Sequence, residues 1–171
     1  MIKIGITGPE SSGKTELAEA LSLKLNAGLV KEYARTFLEQ NDGKYNYEDL
    51  DFIAKKQLSA IHSCDDSKAI WIIDTEMLVM KIWSEYKYQR CESFILDNLT
   101  LQNIDLYILC KPDFPWQEDP FREHPEERDA LFTCYENSLI EYKLPYIIAL
   151  GSLKERVEMV VEYLENKGLN F

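Results

Sequence analysis

The sequence predicts an α/β fold, an open parallel sheet of five strands with helices on both faces. Three observations carry that expectation. Five short apolar runs alternate with stretches of helical spacing along the 171 residues, which is the pattern of right-handed strand–helix crossovers. The third and fourth runs, Ala69-Ile70-Trp71-Ile72-Ile73-Asp74 and Asp105-Leu106-Tyr107-Ile108-Leu109-Cys110, are apolar without alternation, as strands buried on both faces are. The first run leads straight into Gly8-Pro9-Glu10-Ser11-Ser12-Gly13-Lys14-Thr15, a complete G-x-x-x-x-G-K-[ST] phosphate-binding loop.

In chain order, Ile2-Lys3-Ile4-Gly5-Ile6-Thr7 is a short buried strand, and Glu16 to Leu25 after the loop is an amphipathic helix. The loop glycines let the backbone wrap a phosphate chain, so that successive N–H groups and the helix N-terminus point at negative charge. Ala27-Gly28-Leu29-Val30 reads as the second strand, ending in Lys31-Glu32-Tyr33-Ala34-Arg35. Polar groups there stand at the edge where open parallel sheets bind ligands. Asn41-Asp42-Gly43 breaks the next helical piece. Tyr47 to Ser63 is helical through Leu50, Ile53, Ala54, Gln57, Leu58 and Ile61, with His62 as a surface residue at its end. After the third strand, Asp74-Thr75-Glu76 opens a helix through Met77, Leu78, Met80 and Trp83, and a further helix fills Cys91 to Leu101.

The fourth strand ends at Pro112. From there to Arg128 the chain is polar, carries four prolines and keeps no period. Its aromatic residues Phe114, Trp116 and Phe121 favour a lid over disorder. A helix to about Tyr142, the strand Tyr146 to Leu150 and a helix from Leu153 to Glu165 complete the chain. With no repeat, linker or low-complexity tract, residues 1–171 are expected to form a single domain.

The formal net charge of −11, with no basic run, argues against a nucleic-acid or anionic-membrane partner. It leaves ATP open, because such a loop binds phosphate through local N–H groups, Lys14 and a metal. Cys64, Cys91, Cys110 and Cys134 are far apart with no C-x-x-C, so neither zinc nor disulfides are suggested. Reduced, mostly buried thiols in a cytoplasmic protein are expected. The N-terminus runs directly into the first strand, and no apolar run approaches membrane-spanning length, so neither signal peptide nor anchor is expected.

The site residues follow from the loop. Gly8, Glu10, Ser11, Ser12, Gly13, Lys14 and Thr15 are the candidate ATP-binding residues, joined from the lid by Arg128. Lys14 is placed to reach the β- and γ-phosphates, and the Thr15 hydroxyl to ligate Mg²⁺. Asp74 fits the second acidic element that positions the metal; capping the following helix is a compatible role. Glu32 is a candidate to accept a hydroxyl proton or hold a sugar diol, its other reading being an ion pair with Arg35. Arg122 and Arg128 stand in an acidic lid, where an arginine stabilises transferring phosphoryl charge; Arg122 is the expected catalytic one. A GTPase is set aside: Cys110-Lys111-Pro112-Asp113 lacks the Asn of N-K-x-D, and Asp74-Thr75-Glu76-Met77 is not D-x-x-G.

The phosphate loop, Glu32-Tyr33-Ala34-Arg35, Ile73-Asp74-Thr75 and Pro115-Trp116-x-x-Asp119-x-x-Arg122, strung in this order, resemble the ribosylnicotinamide kinase domain of NadR-type proteins. That domain falls in the P-loop ATPase group related to nucleoside kinases. The resemblance implies strand order 2-3-1-4-5, a lid between strands four and five, and ATP-dependent phosphorylation of the ribose 5′-hydroxyl of nicotinamide riboside to nicotinamide mononucleotide. Two departures bear on it. The nucleotidylyltransferase and DNA-binding parts of multifunctional relatives are absent, so no adenylylation is expected. Pro120-Phe121-Arg122 lacks the Gly that often precedes the lid Arg, which bears on lid closure and substrate choice. The acceptor ribose is then expected between the ends of strands two and three, held by Glu32 and Asp74. Tyr33, Trp83, Tyr86 and Trp116 are candidates to stack on the base, with core packing as the other reading of each. The rival readings are a kinase for another nucleoside or nucleotide, and an ATP-binding regulator.

Overall fold

Five parallel strands form one sheet in the order β2-β3-β1-β4-β5, in a computed structural model that describes residues 1–168. The strands are β1 (Ile2–Thr7), β2 (Gly28–Val30), β3 (Ile70–Asp74), β4 (Leu106–Cys110) and β5 (Tyr146–Ala149). The order is the one the resemblance implies. In register, Ile4 of β1 lies between Ile72 of β3 and Leu106 of β4. Thr7, Val30, Asp74 and Cys110 therefore finish along one edge, and each run of polar residues that follows a strand spills onto it.

Helices cover both faces because the strands are apolar on both. On one face α1 (Lys14–Lys24) and α7 (Leu153–Asn166) bury Leu17, Leu21, Val160 and Leu164 against Ile4, Ile6, Ile72 and Ile108. On the other face lie α2 (Tyr33–Gln40), α3 (Tyr47–His62), α4 (Met77–Tyr88), α5 (Ser93–Leu101) and α6 (Arg128–Glu141). Their core includes Leu50, Ile53, Met77, Ile95 and Leu139, packed on Tyr107 and Leu109. Capping boxes start α3 (Asn46 with Asp49) and α7 (Ser152 with Glu155), satisfying helix-start donors that have no intrahelical partner.

Several expectations are revised. The cap of α4 is Glu76, which accepts from the Leu78 amide at 2.6 Å; Asp74 does not cap. The cause is the turn between them, where Thr75 adopts φ 73° and sends its two neighbours in different directions. Arg128 is the first residue of α6, so the irregular stretch is 111–127. Among the described residues the edge strand β5 pairs only with β4, and Tyr146, Ile147 and Ile148 are accordingly half-buried. Only Cys64 and Cys110 of the four free cysteines are buried; Cys91 and Cys134 are half-exposed. His62 is exposed at the end of α3, as expected. Among the described residues no helix is long and apolar enough to cross a membrane.

Candidate active site

The phosphate loop takes its shape from two glycines. Gly8 has φ 134°, and a Cβ there would lie 2.8 Å from the Cys110 carbonyl oxygen of the neighbouring strand. Gly13 has φ 78°, and its Cβ would lie 2.9 Å from the Phe114 ring. No side chain fits either position, so the loop is free to bend tightly into α1. Ser12 Oγ donates to the Pro9 carbonyl at 2.8 Å. Lys14 Nζ donates to the carbonyls of Gly8 and Pro9 at 2.9 Å each, which holds the ammonium at the loop mouth.

At the loop's end, Thr15 Oγ1 donates to Asp74 Oδ2 at 2.7 Å. Asp74 Oδ1 is buried with no hydrogen-bond partner among the described residues. Burial raises the Asp74 carboxyl above its ordinary value, opposed by the Thr15 hydrogen bond and by Lys14. A buried carboxylate oxygen with nothing to bond is an unfavourable arrangement unless a cation joins it.

Glu32 occupies the N-cap position of α2 but makes no capping bond. The carboxyl is pushed up from 4.5 to about 7 by burial. Lys14 and Arg35 oppose that shift, while Asp74 and Glu10 add to it. The ion pair with Arg35 does not form: Arg35 instead holds Glu39 at 2.9 Å and Asp119 at 2.7 Å. Glu32, Asp74 and Lys14 line one cavity of about 530 Å³, a volume suited to a small-molecule ligand. Val79, Ile82, Trp83, Tyr86, Leu131 and Tyr135 add an apolar wall to the same cavity.

Segment 111–127 lies across this cavity and is fastened on three sides. Glu10 Oε2 accepts from the amides of Glu123 (2.8 Å) and His124 (3.2 Å), and Ser11 Oγ accepts from the Gln117 amide at 3.1 Å. Arg35 on α2 holds Asp119, and Lys87 on α4 holds Glu123 at 2.8 Å. Tyr45 also donates to Glu123 at 3.1 Å. Glu10, expected on the phosphates, thus anchors the covering segment.

The two arginines separate in space. Arg122 lines the cavity and donates to the Gln117 carbonyl at 2.7 Å. Arg128 donates to the carbonyls of Ser11 (3.1 Å) and Phe114 (3.0 Å), joining the loop to the segment above it. Of the stacking candidates, Trp83 and Tyr86 line the cavity, while Tyr33 packs edge-on against Phe52. Trp116 sits beside the guanidinium groups of Arg122 and Arg128, outside the wall.

Phe114, expected in the lid, lines the cavity. Three further contributors were not expected. Tyr135 faces the cavity from a position that carries no local signal. Arg156 is 1 % exposed and donates to the carbonyls of Ser12 (2.6 Å), Lys111 (2.7 Å) and Gly151 (2.9 Å) and to Asp113 (2.5 Å). It clamps the loop from behind. The signal was available, since Arg156 shares the face of α7 with Val160 and Leu164, both buried. Gln57 likewise interrupts the apolar face of α3 and is 1 % exposed.

Solved structures share this architecture. The NadR protein in complex with NR superposes with a TM-score of 0.81 at 19% identity, covering 99% of this chain and 52% of that one. For the NadR protein in complex with NAD and AMP-PNP the values are 0.74, 20%, 99% and 50%. This chain therefore spans about half the length of those proteins. Deoxyadenosine kinase from M. mycoides, with dCMP and a flexible dCDP bound, gives 0.68 at 15% identity, covering 96% of this chain and 100% of that one. At these identities the likeness establishes the fold, a P-loop kinase-like parallel sheet. The family model described as an AAA domain matches residues 3–156, from the first strand to the arginine that clamps the phosphate loop, and the chain belongs to that family.

Proposed function

We propose that the protein is an ATP-dependent kinase that phosphorylates the 5′-hydroxyl of a nucleoside, with nicotinamide riboside as the acceptor and nicotinamide mononucleotide as the product. One observation carries the reading. The Glu32 carboxyl, which makes no capping bond to α2 and is lifted to about 7 by burial, lines the same cavity as Lys14 of the phosphate loop. A group that titrates near neutral pH beside a phosphate site suits a general base.

In this reading the loop amides and Lys14 hold the triphosphate of ATP, with Lys14 at the charge that develops on the γ-phosphoryl group. Thr15 and Asp74 are the residues that would hold Mg²⁺, and the partnerless Asp74 Oδ1 fits that role. The ion supplies neutralisation of the phosphate oxygens. Glu32 orients the ribose hydroxyl and takes its proton as the phosphoryl group transfers. Arg122 adds positive charge from the lid, segment 111–127, which excludes water that would hydrolyse ATP. Trp83 and Tyr86 receive the base.

The choice of nicotinamide riboside rests on the motif resemblance and on the lining. The pyridinium ring is cationic; Glu10, Glu32 and Asp119 line the same cavity as the two aromatic rings. Carboxylates attract such a ring, and aromatic faces add about 0.5–2 kcal/mol of cation–π attraction. The NadR protein solved with NR shares the fold.

The direct test is ADP release from ATP·Mg²⁺ with and without each of a panel of nucleosides. Release that depends on the nucleoside, and that Lys14→Ala abolishes in a folded chain, is expected. Slow hydrolysis indifferent to every nucleoside contradicts the reading and describes an ATP-binding regulator.

A further inference from the structure

Gln57 lies behind the cavity wall, on α3 among Ile53, Ala54, Leu58 and Ile61. A buried polar side chain is retained without penalty only when its hydrogen bonds are made, and those of Gln57 are made to two particular turns. Its Oε1 accepts from the Tyr33 amide at 2.8 Å. Its Nε2 donates to the Thr75 carbonyl at 2.8 Å and, at 3.4 Å, to the Asp74 carbonyl. Tyr33 follows Glu32, and Thr75 follows Asp74.

The sheet itself does not connect those turns. The β2–β3 pairing ends at Val30 and Ile73, one residue short of Asp74 and two short of Glu32. Beyond it the strands diverge into α2 and α4, and Gln57 spans the opening. Both attachment points also need a partner. The Tyr33 amide is the first N–H of α2, without an intrahelical acceptor. Thr75 has φ 73°, a conformation unfavourable for a β-branched residue that persists only where surroundings hold it. One side must accept and the other must donate, a combination that a primary amide provides and that neither a carboxylate nor a thioether matches.

We propose that Gln57 is a positioning residue that ties the Glu32 turn to the Asp74–Thr75 turn and so sets the spacing between the two carboxylates of the site. The role rests on the kinase reading for its catalytic consequence, though the tie itself does not. Without it, the Tyr33 end of α2 is free to move outward, carrying Glu32 away from Asp74 and into water.

The experiment compares the wild-type chain with Gln57→Met, which keeps the length and loses both bonds. Carboxyl-carbon NMR follows the Glu32 titration without substrate, and steady-state kinetics follow turnover. The Glu32 midpoint is expected to move from about 7 toward its ordinary 4.5. The kcat is expected to fall about 10- to 100-fold, as a misplacement near 1 Å does, with the KM for ATP little changed. A folded Gln57→Met chain with the wild-type Glu32 midpoint overturns the proposal, whatever the acceptor proves to be. Because the titration uses no substrate, it decides the tie even if no nucleoside is phosphorylated. Should Gln57→Met not fold, hydrogen exchange in the wild-type chain decides. A Tyr33 amide slower than those of Ala34 and Arg35 by about tenfold or more supports the tie, since helix-start amides ordinarily exchange fast; a Tyr33 amide that exchanges as fast as they do overturns it.

Discussion

Replacing Glu32 with Gln should make the protein more stable above neutral pH while it loses activity. Burial lifts the Glu32 carboxyl from 4.5 to about 7. An acid raised by folding costs nothing below its unfolded value, where it is protonated in both states. Stability is lost as pH rises from 4.5 through about 7, because the unfolded chain releases the proton more readily. At about 1.4 kcal/mol for each tenfold in proton activity, the cost approaches about 3 kcal/mol at pH 8. Water in the cavity reduces it, so that figure is an upper value. Glutamine matches the neutral acid in size and polarity and cannot ionise. The difference in melting temperature between Glu32→Gln and wild type should therefore be small at pH 4.5 and grow at pH 8. For a chain of this length about 3 kcal/mol corresponds to about 6–12 °C at most. Glu76, fully buried and also raised to about 7, is common to both proteins and drops out of the comparison. The assay is thermal melting without nucleotide at the two pH values, with kcat measured in parallel. A pH-independent difference, or a Glu32→Gln chain that melts lower at pH 8, refutes the reasoning.

Asp74→Asn should raise the Mg²⁺ concentration needed for half-maximal rate by about tenfold or more, whereas Glu32→Gln should leave that dependence unchanged; the reverse pattern exchanges the two assignments. Arg122→Ala should lower kcat by about 100-fold with little change in the nucleoside KM if, as proposed, its charge acts on the transition state from the lid. Arg128→Ala should instead raise the KM for ATP, since Arg128 bonds the Ser11 and Phe114 backbone; equal kinetic effects of the two arginines contradict this division.

The phosphate loop, the strands and the Thr15–Asp74 pair were legible because their signals are local or follow from topology. A loop motif between a strand and a helix, and an acid ending the adjacent buried strand, come together wherever β1 and β3 are neighbours. The partners of Arg35 were not legible. Glu39 is four residues away on the same helix, but Asp119 lies 84 residues off in a segment without period. Nor was the α4 cap, because Asp74 and Glu76 differ only through the positive φ of the residue between them. Aromatic residues carry no mark of whether they face core or cavity. Trp83 turned to the cavity and Tyr33 to Phe52 for reasons of packing between distant elements. Gln57 and Arg156 look in sequence like defects in apolar faces. Each proves to be a bracket for backbone groups that a parallel sheet leaves unpaired where its strands end.

The proposed acceptor is tested most directly by the order of kcat/KM among nicotinamide riboside, nicotinic acid riboside and adenosine, measured with saturating ATP·Mg²⁺ at low and high salt. Nicotinamide riboside should lead. Adenosine offers stacking without the charge, and the added carboxylate of nicotinic acid riboside meets Glu10, Glu32 and Asp119. The margin over nicotinic acid riboside should shrink as salt screens that repulsion. Adenosine or a deoxynucleoside preferred by about tenfold or more, equivalent to about 1.4 kcal/mol in the transition state, would contradict nicotinamide riboside as the acceptor.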